Sequence, residues 1–127
     1  MNVPEDLRYS ATHEWVRREP DGTLAVGITD FAQDQLGELV YVETPKPGRR
    51  LAAGEACAVV ESVKAAADVY APVAGEVLAA NGALADAPGE VNRDPYGAWL
   101  YRLGPDPGAD LAALLDAAAY RKRCGET

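Results

Sequence analysis

Lys64 is the residue of this sequence whose setting most directly suggests chemistry. It follows Glu61-Ser62-Val63 and precedes alanines at 65–67, so small side chains surround one primary amine. A lysine amine can be acylated by a modifying enzyme, or it can form a Schiff base where burial or a nearby cation lowers its pKa. Small neighbours on a rigid turn favour modification, because the enzyme must close over the side chain. The ordinary alternative is a solvated charge at the end of a hairpin.

The other reactive side chains form no recognisable metal or catalytic pattern. Cys57 and Cys124 lie far apart without a CxxC pair, and His13 is the single histidine. A metal site needs several ligands at close spacing, so we expect His13 to pack in the core or to make a hydrogen bond. Cys57 falls in a predicted strand and is expected to be an inert buried thiol, whereas Cys124, near the end of the chain, is placed to be reactive. The sequence therefore predicts neither a metal site nor a catalytic residue.

Composition describes an acidic globular chain. Its 127 residues carry 12 Lys plus Arg against 20 Asp plus Glu, a formal net charge of −8. Nucleic acids and anionic membranes attract basic surfaces, so neither is expected as a partner. Neither a membrane-spanning stretch nor a signal peptide is recognisable, so we expect a cytoplasmic protein, and we expect a monomer. Large side chains are few, and four of them are predicted core anchors: Trp15, Tyr41, Tyr96 and Trp99.

The first elements are predicted by glycine, proline and a helix cap. Glycine and proline recur at short intervals, which favours short strands over long helices. An Asp-Gly step at 21–22 predicts a hairpin of strands at 15–18 and 23–28. Thr29 is predicted to cap a short helix that ends at Gly37.

Lys64 is predicted to lie at the tip of a second hairpin. Its strands are expected at 56–62 and 68–70, where β-branched residues favour an extended chain. The remaining strands are predicted at 39–43, 75–78 and 99–103, with a short helical turn near 88–91.

The C-terminal segment carries the clearest helical pattern. Apolar residues recur at helical spacing and cations follow them, which predicts a helix over about 110–123. The pattern consists of Leu111, Leu114, Leu115 and Ala118. We therefore expect one domain over 1–127, with a β core over about 7–104 followed by this helix.

Ordered segments over most of the chain resemble one known family. Those segments are His13-Glu14-Trp15-Val16, residues 26–33, residues 37–43, residues 61–77, Val91-Asn92 and Asp94-Pro95-Tyr96-Gly97. They are similar, in the same order, to the H-protein family of the glycine cleavage system, and the segment around Lys64 resembles its lipoyl-attachment segment. The resemblance covers roughly residues 7–121, which chance does not account for.

The resemblance implies a fold and a cofactor. The fold is mostly β, of the biotinyl/lipoyl type: a flattened antiparallel β sandwich (barrel-sandwich hybrid) with short peripheral helices and a C-terminal helix. The cofactor is lipoate, joined as an amide to Lys64, with Glu61, Ser62, Val63 and Ala65 as the context that the attaching enzyme recognises. Biotin carriers usually have methionine on both sides of the lysine, so Val63 and Ala65 favour lipoate.

The same resemblance implies a carrier and its partners. The chain would pass the aminomethyl group of glycine from a pyridoxal-phosphate glycine decarboxylase to a tetrahydrofolate-dependent aminomethyltransferase. Dihydrolipoamide dehydrogenase would reoxidise the dithiol, and a lipoate ligase or lipoyl transferase would attach the arm. The cofactors of these partners perform the difficult chemistry. A secondary role as a relay of lipoate to other carriers stays open.

A carried aminomethyl group is a cation that water can attack, which leads to a hypothesis about the arm. We expect the arm to fold back into a cleft where carboxylates bind the amine. Glu14 and Asp68 are the predicted carboxylates, and Thr12 adds a hydroxyl. The alternative is that both carboxylates are solvated surface charges.

Two other classes of protein share parts of this pattern. An enzyme would use Lys64 as a Schiff-base or general-base lysine in a buried site, which the predicted exposed tip opposes. A lipoyl domain of a 2-oxoacid dehydrogenase complex is usually shorter, commonly has Asp where Val63 stands, and is joined to other domains by flexible linkers.

Overall fold

The computed structural model describes residues 1–125 as two antiparallel sheets with short helices around them. The strands are β1 (Arg8–Tyr9), β2 (Glu14–Arg18), β3 (Leu24–Ile28), β4 (Leu39–Glu43), β5 (Arg50–Leu51), β6 (Ala56–Ser62), β7 (Ala66–Tyr70), β8 (Gly75–Ala80) and β9 (Tyr101–Pro105). The helices are α1 (Asp30–Leu36), α2 (Ala83–Asp86), α3 (Glu90–Arg93) and α4 (Ala117–Arg123), with a 3₁₀-helix at Leu111–Ala113.

The sheets are unequal in size and face each other across one core. Six strands form the larger sheet in the order β1-β2-β3-β9-β8-β5, and the smaller sheet has the order β4-β6-β7. The core joins side chains of both sheets, among them Val26, Val77 and Leu103 from the larger and Val42, Val60 and Val69 from the smaller. The predicted mostly β sandwich with short helices is confirmed, and the sheets over residues 1–125 do not close into a barrel.

The predicted β2–β3 hairpin is confirmed, and its side chains alternate between the core and a second apolar cluster. Val16 pairs with Val26, and both side chains lie in the core between the sheets. Trp15 and Ala25 lie on the opposite face, where they pack with Tyr120 of α4 in a second apolar cluster. Successive strand residues point to opposite faces, so one hairpin holds both layers together.

Helix α1 begins and ends where the sequence predicts. The Thr29 hydroxyl accepts a hydrogen bond from Ala32 N at 3.2 Å, which satisfies a free amide of the first turn. Gly37 ends the helix with φ +84°, a left-handed conformation that suits glycine. The caps fix both ends of a helix that borders the candidate site.

The predicted C-terminal helix is confirmed as α4, but its predicted start at residue 110 is wrong. The segment instead contains the 3₁₀-helix, an extended stretch, and α4, which begins only at residue 117. Leu115 forms an isolated antiparallel bridge with Tyr9, with N–H···O distances of 2.8 Å in both directions. A residue whose amide and carbonyl are bound by β1 cannot bond within a helix, and Asp116 starts α4 by accepting from Ala119 N at 2.8 Å.

Two further expectations are corrected by long-range pairing. The strand predicted at 99–103 begins at Tyr101 as β9. Tyr41 is 45% exposed, because a bulge between Leu39 and Tyr41 leaves two successive residues of β4 facing solvent.

Trp15 is fully buried, as predicted for a core anchor. No helix among residues 1–125 is long and apolar enough to cross a bilayer.

Candidate functional site

Lys64 lies in the turn between β6 and β7, as predicted. Hydrogen bonds between Ser62 and Ala65 close this turn. Ser62 N donates to Ala65 O at 2.7 Å, and the Ser62 hydroxyl accepts from Ala65 N at 3.2 Å. Val63, which precedes the lysine, is 92% exposed. Lys64 is exposed too, which leaves no buried site of the kind that a Schiff-base lysine requires. Ser62 thus holds the backbone still while the side chains at 63 and 64 protrude.

Lys64 lies against the end of α1 and beside an open cavity. A Cβ placed on Gly37 would lie 3.7 Å from Lys64 Cε, so the lysine stem passes close to this glycine. The cavity has a volume of about 280 Å³ and is bordered by Leu36, Gly37, Val63 and Lys64 among others. Leu36 also borders a second, larger cavity, which makes it the shared wall between the tip and that cavity.

The larger cavity is an apolar cleft with a carboxylate at its wall. Its volume is about 360 Å³, and β2, α1, β6 and β7 all contribute to its lining. Apolar lining comes from Ile28, Phe31, Ala32, Leu36, Val60, Ala67 and Val69, and polar lining comes from Thr12, His13, Glu14, Gln35 and Asp68. A cleft of this kind suits a ligand that is mostly hydrocarbon and carries one cationic group.

Glu14 is the buried carboxylate of this cleft. It is 1% exposed, and its carboxylate accepts hydrogen bonds from the Ser10 and Thr12 hydroxyls, each at 2.5 Å, and from Tyr70 N at 3.1 Å. Burial raises the pKa of Glu14, and these three donors counter the rise. The alternative of a solvated surface charge therefore fails for Glu14. Its bond to Tyr70 also ties β2 of the larger sheet to β7 of the smaller.

Asp68 and Thr12 border the same cleft in different settings. Asp68 is an exposed residue of β7, four positions after Lys64. Thr12 precedes β2 and donates its hydroxyl to Glu14. The fold thus brings together all three residues predicted for the cleft, with one carboxylate buried and the other open to solvent.

Sequence reasoning missed the remaining walls of the cleft. The apolar side chains of α1 that line it were predicted only as part of a short helix. His13 was expected to pack or to make a hydrogen bond, and its Nδ1 indeed lies 2.7 Å from the Tyr120 hydroxyl. No local signal links residue 13 to residue 120, or Glu14 to Tyr70, so only the folded chain reveals these contacts.

The cysteines and acidic groups form no metal centre in the part of the chain that the structure describes. Cys57 is buried and Cys124 is half-buried, and both are free thiols. Burial raises the pKa of the Cys57 thiol, which agrees with the predicted inert cysteine. No group of three or more His, Cys, Asp or Glu side chains within residues 1–125 is arranged to hold a metal ion.

Comparison with known proteins decides between the carrier and its alternatives. The family model for the glycine cleavage H-protein matches residues 7–127. The chain belongs to the glycine cleavage H-protein family. This family is the carrier component of the glycine cleavage system, so the predictions of a carrier and of a non-catalytic protein are confirmed. The lysine-enzyme alternative and the 2-oxoacid dehydrogenase alternative are not supported.

Individual H-proteins resemble the chain over nearly its whole length. The chain is 62% identical over 122 residues to the glycine cleavage system H protein of Thiobacillus denitrificans, covering 96% of this chain and 95% of that protein. It is 61% identical to the H protein of Nitrosospira multiformis, with the same coverage. The crystal structure of an H protein from Mycobacterium marinum matches with a TM-score of 0.89 and 41% identity, covering 97% of this chain and 99% of that one.

Proposed function

We propose that Lys64 carries lipoate as an amide, and that the chain uses this arm to carry the aminomethyl group of glycine between the enzymes of the glycine cleavage system. One observation carries the proposal: in a member of the H-protein family, an exposed lysine on a fastened turn stands beside an apolar cleft that contains a buried carboxylate. Lipoate supplies a dithiolane that accepts the aminomethyl group and can be reduced and reoxidised.

The tip residues present the amine to the attaching enzyme. Glu61, Ser62, Val63 and Ala65 form the recognition context, and Ser62 holds the turn through its bonds to Ala65. The strongly exposed Val63 offers an apolar contact to a lipoate ligase or lipoyl transferase. Amide formation removes one of the 12 basic charges, so the formal net charge changes from −8 to 11 − 20 = −9.

The cleft residues hold and shelter the carried amine. Glu14 supplies a carboxylate whose position is fixed by Ser10, Thr12 and Tyr70. Asp68 supplies a second carboxylate at the solvent side. Their attraction for the amine is strengthened by the apolar walls, because the local dielectric constant is low. The same walls exclude water from the carried group.

The partners follow from the reactions that the arm must undergo. They are a pyridoxal-phosphate glycine decarboxylase, a tetrahydrofolate-dependent aminomethyltransferase and dihydrolipoamide dehydrogenase. We propose further that residues 1–127 act as one carrier domain, that the protein is a cytoplasmic monomer, and that its acidic surface favours brief docking with these enzymes.

The attachment site is tested by measuring the intact mass after incubation with a lipoate ligase, lipoate and ATP. The expected result is one lipoyl adduct on the parent protein and none on Lys64→Arg, which keeps the charge but lacks the reactive amine. The chain has two other lysines, so Lys46→Arg and Lys122→Arg are matched controls that should keep the adduct. An adduct on Lys64→Arg would overturn the assignment.

A further inference from the structure

We propose that Tyr120 of the C-terminal helix is a positioning residue for the arm cleft. Its hydroxyl keeps His13 in place as a neutral wall, so that the imidazole adds no cation that competes with the carried amine for Glu14 and Asp68. The proposal rests on the proposed function, because it assigns a role to a cleft that holds the arm.

Tyr120 joins two residues at the border of the cleft. Its hydroxyl lies 2.7 Å from His13 Nδ1 and 2.6 Å from the Thr29 hydroxyl. Tyr120 is fully buried, and its ring stacks on Tyr9 with centroids 4.6 Å apart, so the hydroxyl is held in place from the far side. The contacts span 107 and 91 residues along the chain, which makes α4 a support for the cleft wall.

His13 lies between α4 and α1, the helix that borders the cleft. Its ring is 4.8 Å from Phe31 of α1, measured between centroids, and both side chains line the cleft. Its backbone has φ +74°, which is uncommon for a residue other than glycine. Its carbonyl accepts from Thr29 N at 3.1 Å, so backbone and side-chain contacts both fix this residue.

The hydrogen bonds favour one protonation state of His13. Thr29 Oγ1 already accepts from Ala32 N, and its one hydroxyl proton can be donated to the Tyr120 oxygen. The Tyr120 proton is then available for His13 Nδ1, which must be unprotonated to accept it. In this arrangement each hydroxyl donates once, and the imidazole is neutral with its proton on Nε2.

A charged His13 would reverse the donors in this arrangement. With a proton on Nδ1 the ring must donate to Tyr120, whose own proton then has to turn toward Thr29. Thr29 Oγ1 would then accept two bonds and could no longer donate its own proton within this chain of bonds. Both arrangements keep the three hydrogen bonds, but only the neutral ring gives the proton of the buried Thr29 hydroxyl an acceptor.

The electrostatic surroundings act in the same direction. Burial lowers the pKa of His13, and Arg123 of α4 adds a smaller effect of the same sign. The Arg123 guanidinium is held near His13 by donation from Nε to Ala11 O at 2.9 Å. The other titratable groups around His13 are Glu14 of β2, Asp68 across the cleft on β7, and Tyr120 of α4. Cys124, which follows α4, interacts with the Tyr120 hydroxyl.

The pH dependence follows from these signs. Because the pKa of His13 is lowered, the ring stays neutral through its ordinary titration range near pH 6.5 and gains charge only at lower pH. Tyr120→Phe removes the donor to Nδ1 but keeps the ring that stacks on Tyr9. The pKa of His13 should then rise toward its ordinary value, so the cleft gains a cation at higher pH.

The test uses the fact that the chain has a single histidine, whose NMR titration is therefore unambiguous. His13 is titrated in the parent, in Tyr120→Phe and in Tyr41→Phe, a control that loses the hydroxyl bonded to Glu43 on β4, outside the cleft lining. An upward pKa shift in Tyr120→Phe alone is expected. An unchanged or lowered pKa would overturn the proposal, because Tyr120 would then not favour the neutral ring.

A second measurement links the histidine to the arm. The lifetime of the aminomethyl-loaded form is measured for Tyr120→Phe and for the parent at several pH values between about 5 and 8. The lifetime of the variant is divided by that of the parent at the same pH, which cancels the pH dependence that both proteins share. The ratio should lie near one at the alkaline end and fall several-fold where only the variant has charged His13. A ratio that is equal at every pH would contradict the proposal and indicate a purely structural residue.

The proposed function and this inference fail in distinguishable ways. A sample without a lipoyl adduct on Lys64 contradicts the proposed function, and its intact mass reports this directly. The His13 titration can be measured in the same protein before lipoylation. An unshifted pKa in a correctly lipoylated sample therefore contradicts the role of Tyr120 alone.

Discussion

At the scale of single residues, Glu14 joins structure to function. Its carboxylate links the two sheets through Tyr70 and also borders the cleft. A glutamine can keep these contacts, because its carbonyl can face Tyr70 N while its NH₂ donates to the Ser10 and Thr12 hydroxyls, which also accept. Glu14→Gln therefore removes the charge while leaving the hydrogen-bond geometry nearly intact.

We predict that Glu14→Gln shortens the lifetime of the aminomethyl-loaded form by about tenfold or more, since a hydrogen bond to a charged group contributes about 1.5–3 kcal/mol. Asp68→Asn should have a smaller effect, because Asp68 is exposed and its charge is screened by water. Release of formaldehyde or ammonia from the loaded protein measures the lifetime. Asp34→Asn, an exposed carboxylate of α1 outside the cleft, is the control, and equal lifetimes for all four proteins would refute the role of the cleft carboxylates.

At the scale of elements, β8 and β9 of the larger sheet approach each other closely at Gly75. Gly75 pairs with Pro105, and a Cβ placed on Gly75 would lie 2.3 Å from the backbone oxygen of Gly104. No side chain can occupy that space unless the strands separate. The sheet therefore depends on glycine at this position for steric reasons.

Gly75→Ala should lower the free energy of unfolding by about 1–3 kcal/mol, the usual cost of overpacking. Gly82→Ala is the matched control, because a Cβ placed on Gly82 would meet no atom within 4 Å beyond its chain neighbours, and the φ of −63° suits alanine. That control should be neutral or stabilising by about 0.4–1 kcal/mol. Urea unfolding monitored by circular dichroism gives both values, and an equal effect of the two substitutions would show that steric contact with Gly104 is unimportant.

At the scale of the whole molecule, acidic side chains outnumber basic ones. The formal net charge is −8, and Glu61 at the end of β6 lies close to the tip in sequence and in strand register. Glu76 carries the same charge on β8 of the other sheet. These two residues separate an effect of local charge near Lys64 from an effect of total charge.

In the lipoylated protein, Glu61→Gln should raise the KM for the decarboxylase about threefold, whereas Glu76→Gln should change it little, since exposed ion pairs contribute about 0.2–1 kcal/mol. Raising the ionic strength from about 0.01 to 0.15 M should reduce the difference, because salt screens exposed charges. Steady-state kinetics at each ionic strength tests both statements. An equal rise for both variants would mean that docking responds only to total charge.

The sequence alone determined the features that depend on neighbouring residues. The Asp-Gly turn, the Thr29 cap, the glycine after α1 and the hairpin that presents Lys64 all follow from local backbone preferences. Ordered motifs also identified the family. These signals lie within a few positions of one another, where the type of each residue restricts the conformation directly.

Only the tertiary structure decided which distant residues meet. Glu14 is buried because Tyr70 lies beside it, His13 is bonded because α4 returns to it, and the predicted 110–123 helix is interrupted because Leu115 pairs with Tyr9. The bulge that exposes Tyr41 likewise depends on pairing with β6.

These outcomes depend on packing between residues far apart along the chain, such as the 56 positions from Glu14 to Tyr70 and the 107 from His13 to Tyr120. Local propensity does not specify which of the compatible partners the folded chain brings into contact.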